Sequence, residues 1–334
     1  MIIFTEQELR QQIILNHDTL SVIEDCFTKL VQQKVVMPPI MRLDIHDFNG
    51  EVDVKTAYIK EKEMFAIKVS SGYFDNPKQG LPSGSGFMML MDTKTGIPQA
   101  LFLDNGYLTE VRTAAAGAIA ANYSSPKKVE TVGIIGSGSQ ARFQLTALTL
   151  VRDFKKVLVY SRSSKSASRF AEEMGSALNL TVQVADSVEE VVKKSQLVVT
   201  TTPATEPFVK AEWLHSGLHI TAMGSDAEHK QELEAEVLAS ADKVICDTTA
   251  QCMRLGELHH ALASGILTDS SKVIELGQLT SKEKKGRDRD DQITVCDLTG
   301  TGAQDTAIAL FAYQELIKRS KGVEINSQHQ LQKN

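Results

Sequence analysis

The sequence predicts an α/β protein built on a doubly wound parallel sheet, with that sheet inserted into a second, α+β domain. Three observations carry this. The apolar run Val132-Gly133-Ile134-Ile135 breaks into Gly136-Ser137-Gly138-Ser139-Gln140-Ala141 and resumes with helical periodicity, the pattern of a strand, a tight loop and a helix N-terminus. Strand-like runs at 156–160 and 196–202 each follow one intervening helical stretch, as parallel pairing requires. The loop begins only at residue 136 of 334, so the sheet occupies the middle of the chain.

In chain order, Leu20, Ile23, Phe27, Leu30 and Val31 recur at spacings that put one face of a helix in the core. Strands are expected at 51–58, 64–69 and 86–92, the last closing in the turn Thr93-Lys94-Thr95-Gly96. The alanine-rich stretch 114–121 reads as a helix, and Ser124-Ser125-Pro126-Lys127-Lys128 as a polar stop after it. Beyond the glycine loop, strands are expected at 217–223, 243–247 and 293–296. The mixed charges of 281–292 read as a solvated loop, because alternating signs cancel. Ala307, Leu310 and Phe311 mark a last helix, and 320–334 a polar, frayed tail. The expected division is 1–120, completed by 303–334, and a nucleotide-binding domain over 121–302.

Composition narrows the function. A net charge of −6 argues against a nucleic acid partner. No apolar run approaches the roughly 18 to 20 residues that span a bilayer, and Met1-Ile2-Ile3-Phe4-Thr5-Glu6 lacks a basic signal-peptide start; no membrane partner and a cytoplasmic location are expected. Cys26, Cys246, Cys252 and Cys296 are scattered without a CxxC or paired-histidine spacing, so they read as reduced thiols, and no metal is expected. His229, His259 and His260 are assigned no role.

The loop chemistry points to a dinucleotide. Gly136 supplies the turn, Gly138 lets the backbone approach a pyrophosphate, and Ala141 allows close helix–strand contact. Ser139, Gln140 and Thr202, at helix start and strand end, fall where such a ligand lies. After the strand 156–160 stands Ser161-Arg162-Ser163-Ser164-Lys165, with hydroxyls and cations where an NAD-binding chain usually places Asp or Glu. NADP(H) is therefore favoured, with NAD(H) the alternative. Three charged residues look chemical. Lys68 lies among Met64, Phe65, Ile67 and Val69 and must reach solvent, a partner or a ligand. Arg112 falls at the start of the alanine-rich helix, where its charge opposes the macrodipole unless an anion is near. Asp226 follows the strand 218–223 and the Gly224 break, at the sheet edge where a nicotinamide is expected, and is the candidate acid/base.

Five segments in order resemble the ornithine cyclodeaminase/mu-crystallin family: Phe65-Ala66-Ile67-Lys68, Val111-Arg112-Thr113-Ala114-Ala115-Ala116-Gly117, Gly136-Ser137-Gly138-Ser139-Gln140, Ala222-Met223-Gly224-Ser225-Asp226 with Lys230 to Leu233, and Asp297-Leu298-Thr299-Gly300. Gly72 to Lys78 and Cys296 to Gly302 are most similar to its ectoine-utilisation cyclodeaminase-like branch. The resemblance implies a substrate and dimerisation domain made of the N-terminal segment and the last helix, a homodimer, and chemistry at the α-carbon of an amino or imino acid. It implies that Arg42, Lys68 and Arg112 bind the substrate carboxylate, with Thr299 also at the substrate. Ser83, Arg112, Thr113, Met223 and Lys230 would join the cofactor set, and Asp226, with Lys68, the catalytic one. The leading expectation is an NAD(P)H-dependent imine or ketimine reductase acting on a small cyclic imino acid. A cyclodeaminase recycling its NAD is the alternative, weakened because Lys55 stands where cyclodeaminases acting on ornithine carry a glutamate. A non-catalytic, crystallin-like ligand binder is the third reading.

Overall fold

In the computed structural model, residues 1–268 and 272–325 are described. The chain forms two units, residues 1–14, 33–112 and 301 onward in one, and residues 15–32 with 113–300 in the other.

The first unit is a mostly antiparallel sheet. Among the described residues its strands run in the order Val323–Glu324, Ile2–Thr5, Pro98–Leu103, Gly84–Asp92, Met64–Tyr73 and Gly50–Ile59, with Val35–Val36 and Met41–Ile45 both pairing the last of these. Side chains alternate between faces. On the inner face Ala57 stands opposite Ala66, and Ala66 opposite Leu90. There the helix Gly302–Lys318 packs: the Thr306 hydroxyl donates to Ala57 O (2.8 Å) and accepts from Ala66 N–H (3.0 Å). Small residues make this approach possible. A Cβ on Gly302 would stand 2.4 Å from Thr56 O. The opposite face carries half-buried Val52, Val54, Ile67, Val69 and Met89, with Met41 and Leu43 at 62% and 59% exposure on the edge strand.

The second unit holds the parallel sheet. Its order is Thr181–Val184, Lys156–Tyr160, Thr131–Ile135, Leu197–Thr200, His219–Ala222, Thr294–Asp297, Lys243–Cys246 and Val273–Glu275. The order reverses between Thr131–Ile135 and Leu197–Thr200, the switch point where ligands lie at strand carboxyl ends. Both faces are covered, which explains the near-continuous apolar runs. Val132, Ile134, Val157, Val159 and Val199 pack with Leu145, Leu148, Phe170 and Met174 on one face, while Ile135, Leu158, Val198 and Ile220 pack with Val191, Val192 and Leu238 on the other.

Three expectations are corrected. The helix His17–Val31 groups with the second unit because it packs on the helix Leu276–Thr280, whose Gly277 leaves no room for a Cβ beside Phe27 O (2.3 Å). The helix carrying Arg112 runs Tyr107–Ser124, so Arg112 is its sixth residue and not its start; Asp104 Oδ2 caps it from Leu108 N–H at 2.8 Å. The charged loop 281–292 is not simply solvated, since Arg287 donates to the carbonyls of Ser124, Leu218 and Gln292.

Candidate active site

The glycine loop has the geometry of a phosphate cradle. Gly136 has φ +114°, and a Cβ there would stand 2.4 Å from Thr201 Oγ1. Gly138 is the N-cap of the helix Ser139–Leu148, has no side-chain cap, and faces open space. The loop leaves room at the helix start, where the helix dipole favours an anion. Arg142 donates to the carbonyls of Ser137 (2.6 Å) and Gly138 (3.0 Å) and so braces the loop from behind. The residues fit a dinucleotide. Ser139 is exposed, and Gln140 Oε1 accepts from Gln144 Nε2 at 3.0 Å. Ser161 Oγ accepts from Ser137 Oγ at 3.0 Å, while Arg162 and Lys165 are exposed beside it.

Asp226 lies past the carboxyl end of His219–Ala222, with its side chain 38% exposed. The buried Lys230 donates to its Oδ1 at 2.8 Å, and Lys230 is itself fixed through its carbonyl by Ser225 Oγ and by His260 Nε2 (2.8 Å). A carboxylate oriented by a buried ammonium and still reachable can exchange a proton with a bound molecule. Glu232 shapes the same edge: it accepts from Thr202 N–H (2.6 Å), Thr202 Oγ1 (2.7 Å), Thr200 Oγ1 (2.6 Å) and Gly224 N–H (2.9 Å). Met223 N–H donates to Thr200 O at 3.1 Å. Glu257 accepts from Glu232 N–H (2.8 Å) and Leu233 N–H (3.1 Å), and Asp297 from Leu258 N–H (2.9 Å). Burial pushes Glu232 and Glu257 up, and Asp297 up to about 8. The Thr299 hydroxyl donates to Asp247 (3.1 Å) and accepts from Gln251 Nε2 (2.7 Å).

In the first unit, Lys68 is in mid-strand and 2% exposed. Its Nζ pairs with Asp305 Oδ2 at 3.0 Å, and Arg112 Nε donates to Asp305 Oδ1 at 2.9 Å. Asp305, in the first turn of Gly302–Lys318, thus joins two residues singled out from the sequence. Burial lowers Lys68 to about 7; Asp305 raises it, while Arg112 and Lys55 lower it further. Burial pushes the Asp305 carboxyl up, but the charges of Lys68, Arg112 and Lys55 prevail and hold it below its ordinary value. Arg42 lies on the edge strand Met41–Ile45. It stands opposite Asp53, donates to it at 2.9 and 3.2 Å, and pairs with Glu51 at 3.3 Å. Ser83 is exposed, its carbonyl accepting from Tyr73 N–H (2.7 Å), and Thr113 O accepts from Gln144 Nε2 (3.0 Å).

Asp305, Glu232 and Arg142 were not found by sequence reasoning. Each carried only a weak sign: Asp305 stands in the first turn after a glycine loop, Glu232 eight residues past the Gly224 break, and Arg142 as a cation near a helix start.

Fold and loop together define a Rossmann dinucleotide-binding protein with a second, α+β unit. The model of the ornithine cyclodeaminase/mu-crystallin family matches residues 2–320, and the chain belongs to that family. It is 49% identical to an uncharacterised cyclodeaminase of Sinorhizobium fredii over 96% of this chain and 98% of that one. Among solved structures, it resembles the Δ1-pyrroline-2-carboxylate reductase of Thermococcus litoralis in complex with NADH and L-proline (TM-score 0.92, 30% identity, 97% of this chain and 100% of that one). It also resembles an archaeal alanine dehydrogenase dimer with bound NAD (TM-score 0.90, 32% identity, 98% and 99%). Among the described residues no helix is long and apolar enough to cross a membrane, and no group of His, Cys, Asp and Glu is arranged to hold a metal.

Proposed function

We propose that this chain is an NAD(P)H-dependent reductase of α-imino acids, forming an α-amino acid by hydride addition to the imine carbon. The observation that carries the reading is Asp226: a reachable carboxylate, held by buried Lys230, at the carboxyl edge of a sheet whose glycine loop suits a dinucleotide. Bound nicotinamide supplies the hydride. Asp226 supplies the proton to the imine nitrogen, which makes the adjacent carbon electrophilic. Lys68 and Arg112 hold the α-carboxylate, an anion that favours the charged form of Lys68. The resemblance adds Arg42, held by Asp53 and Glu51 as Lys68 and Arg112 are held by Asp305. The relatives solved with NADH and L-proline or with NAD support the reaction class.

NADPH is the favoured reductant in this reading, because 161–165 offers hydroxyls, Arg162 and Lys165 and no carboxylate against a 2′-phosphate. The enzyme is a homodimer paired through the apolar outer face of the first unit's sheet, an area of the kind that monomers rarely leave open. Its four buried free thiols suit the cytoplasm. The test is to incubate the protein with NADPH or NADH and a panel of cyclic and open-chain imino acids, following the nicotinamide absorbance and ammonia together. Stoichiometric oxidation with amino acid formed supports the reductase. Ammonia release from a diamino acid without net oxidation would replace it with a cyclodeaminase, and binding without turnover with a crystallin-like binder.

A further inference from the structure

The segment that carries Asp226 closes on itself. The strand His219–Ala222 ends, Gly224 breaks it and Asp226 follows; then, eight residues after Gly224, the side chain of Glu232 turns back to where the segment began. Glu232 Oε2 accepts from Gly224 N–H at 2.9 Å, so the last residue of 224–232 holds the first. The other oxygen reaches the end of the neighbouring strand, where Thr202 N–H (2.6 Å) and the Thr202 hydroxyl (2.7 Å) donate to Oε1. Thr200 Oγ1 donates to Oε2 at 2.6 Å. One main-chain N–H thus falls on each oxygen, and such bonds to a carboxylate are about twice as strong as neutral ones.

Two further features make this contact part of the loop's design. Glu232 is 0% exposed, and its own N–H donates to Glu257 Oε1 at 2.8 Å while Leu233 N–H donates to Glu257 Oε2 at 3.1 Å. The far end of the segment is therefore pinned from behind. Gly224 has no side chain where one would obstruct: a Cβ there would stand 2.1 Å from Thr202 O and 2.6 Å from the Glu232 carboxyl carbon. Between the pinned ends lie Asp226 and Lys230, joined at 2.8 Å.

Resting on the reductase reading, we propose that Glu232 is a positioning residue of the reaction: it latches the Asp226 loop to the end of the strand Leu197–Thr200 and so fixes where Asp226 offers its proton. Without the latch Asp226 keeps its chemistry and loses its place, and a misplacement of about 1 Å can cost on the order of 10²-fold in rate.

Glu232→Gln tests this, because a carboxamide nitrogen cannot accept and must face the N–H of Thr202 or of Gly224. Hydrogen exchange should find both amides slow in the unaltered protein. The variant should speed at least one of them about tenfold or more, while the amides of Val198 and Ile220, inside the strands, stay as slow as before. Single turnovers with NADH and a cyclic imino acid should slow about 10- to 100-fold in Glu232→Gln. With Asp226→Asn already present the further loss should be less than about twofold, since a residue that acts through Asp226 has nothing left to position. A full loss in both backgrounds would make Glu232 a support of the fold and overturn the assignment, as would unchanged exchange at both amides. If Glu232→Gln does not fold, Thr200→Val removes one donor to Oε2 at nearly constant shape, and the same exchange and rate comparisons decide. Failure of every imine to turn over would remove the reductase reading, while the exchange rates still decide the latch.

Discussion

Lys68 keeps its proton firmly only when something negative stands beside it. Burial brings it to about 7, with Asp305 pulling up and Arg112 and Lys55 pulling down. An anion binds best to the protonated form, so carboxylate affinity should be flat below about pH 7 and weaken by up to about tenfold per unit above it. Butyrate titrations from about pH 6 to about pH 9 check this, and Lys68→Arg should carry the flat region through the whole range. Asp226→Asn should leave dinucleotide binding nearly intact and lower kcat by roughly 10²–10⁴-fold, since the amide cannot exchange the proton; fluorescence titration with NADH and single-turnover rates separate the two effects. Lys68, Arg112 and Asp226 could be singled out because a charge in an apolar strand, a cation in an alanine helix and an acid after a strand-end glycine are each locally odd. Asp305 was not, because nothing in its own helix says which distant strand it will face. The pairing of Arg42 with Asp53 was not legible, because a strand residue's partner is set by register.

Helix ends and strand lengths follow backbone partners that sequence periodicity does not report. The alanines at 114–121 marked the helix interior, but its start lies seven residues earlier at Tyr107, fixed by Asp104 receiving Leu108 N–H. The strand expected at 64–69 runs to Tyr73 because its partners Gly50–Ile59 and Gly84–Asp92 continue that far. The glycine loop was read closely, since its chemistry is local. The helix Gly302–Lys318 shows what contact adds: Gly302→Ala would drive a methyl against Thr56 O, 2.4 Å away, and backbone cannot swing aside. A loss of about 1–3 kcal/mol is expected, read as a lowered urea midpoint with an unchanged slope.

At the scale of the molecule, the proposed dimer has the apolar outer face of the first sheet as its interface. If so, Val69→Asp places a charge in its middle and should shift the mass measured by light scattering from two chains to one. The alternation of strands and helices made the parallel sheet legible in the sequence. The place of residues 15–32 was not, because the Phe27–Gly277 contact joins segments far apart in the chain. A buried carboxyl of the second unit also makes the stability of the fold depend on pH. Asp297 has its pKa raised by burial from 3.8 to about 8, so across that window the native state holds a proton that the unfolded chain has already released. Stability contributed by that proton is complete below the lower value and drains away as pH climbs to the upper one. Asp297→Asn should flatten the melting temperature against pH over the same interval. As pH rises from acid to about 8, by this account, the second unit gives up stability from within, at a carboxyl buried in its interior.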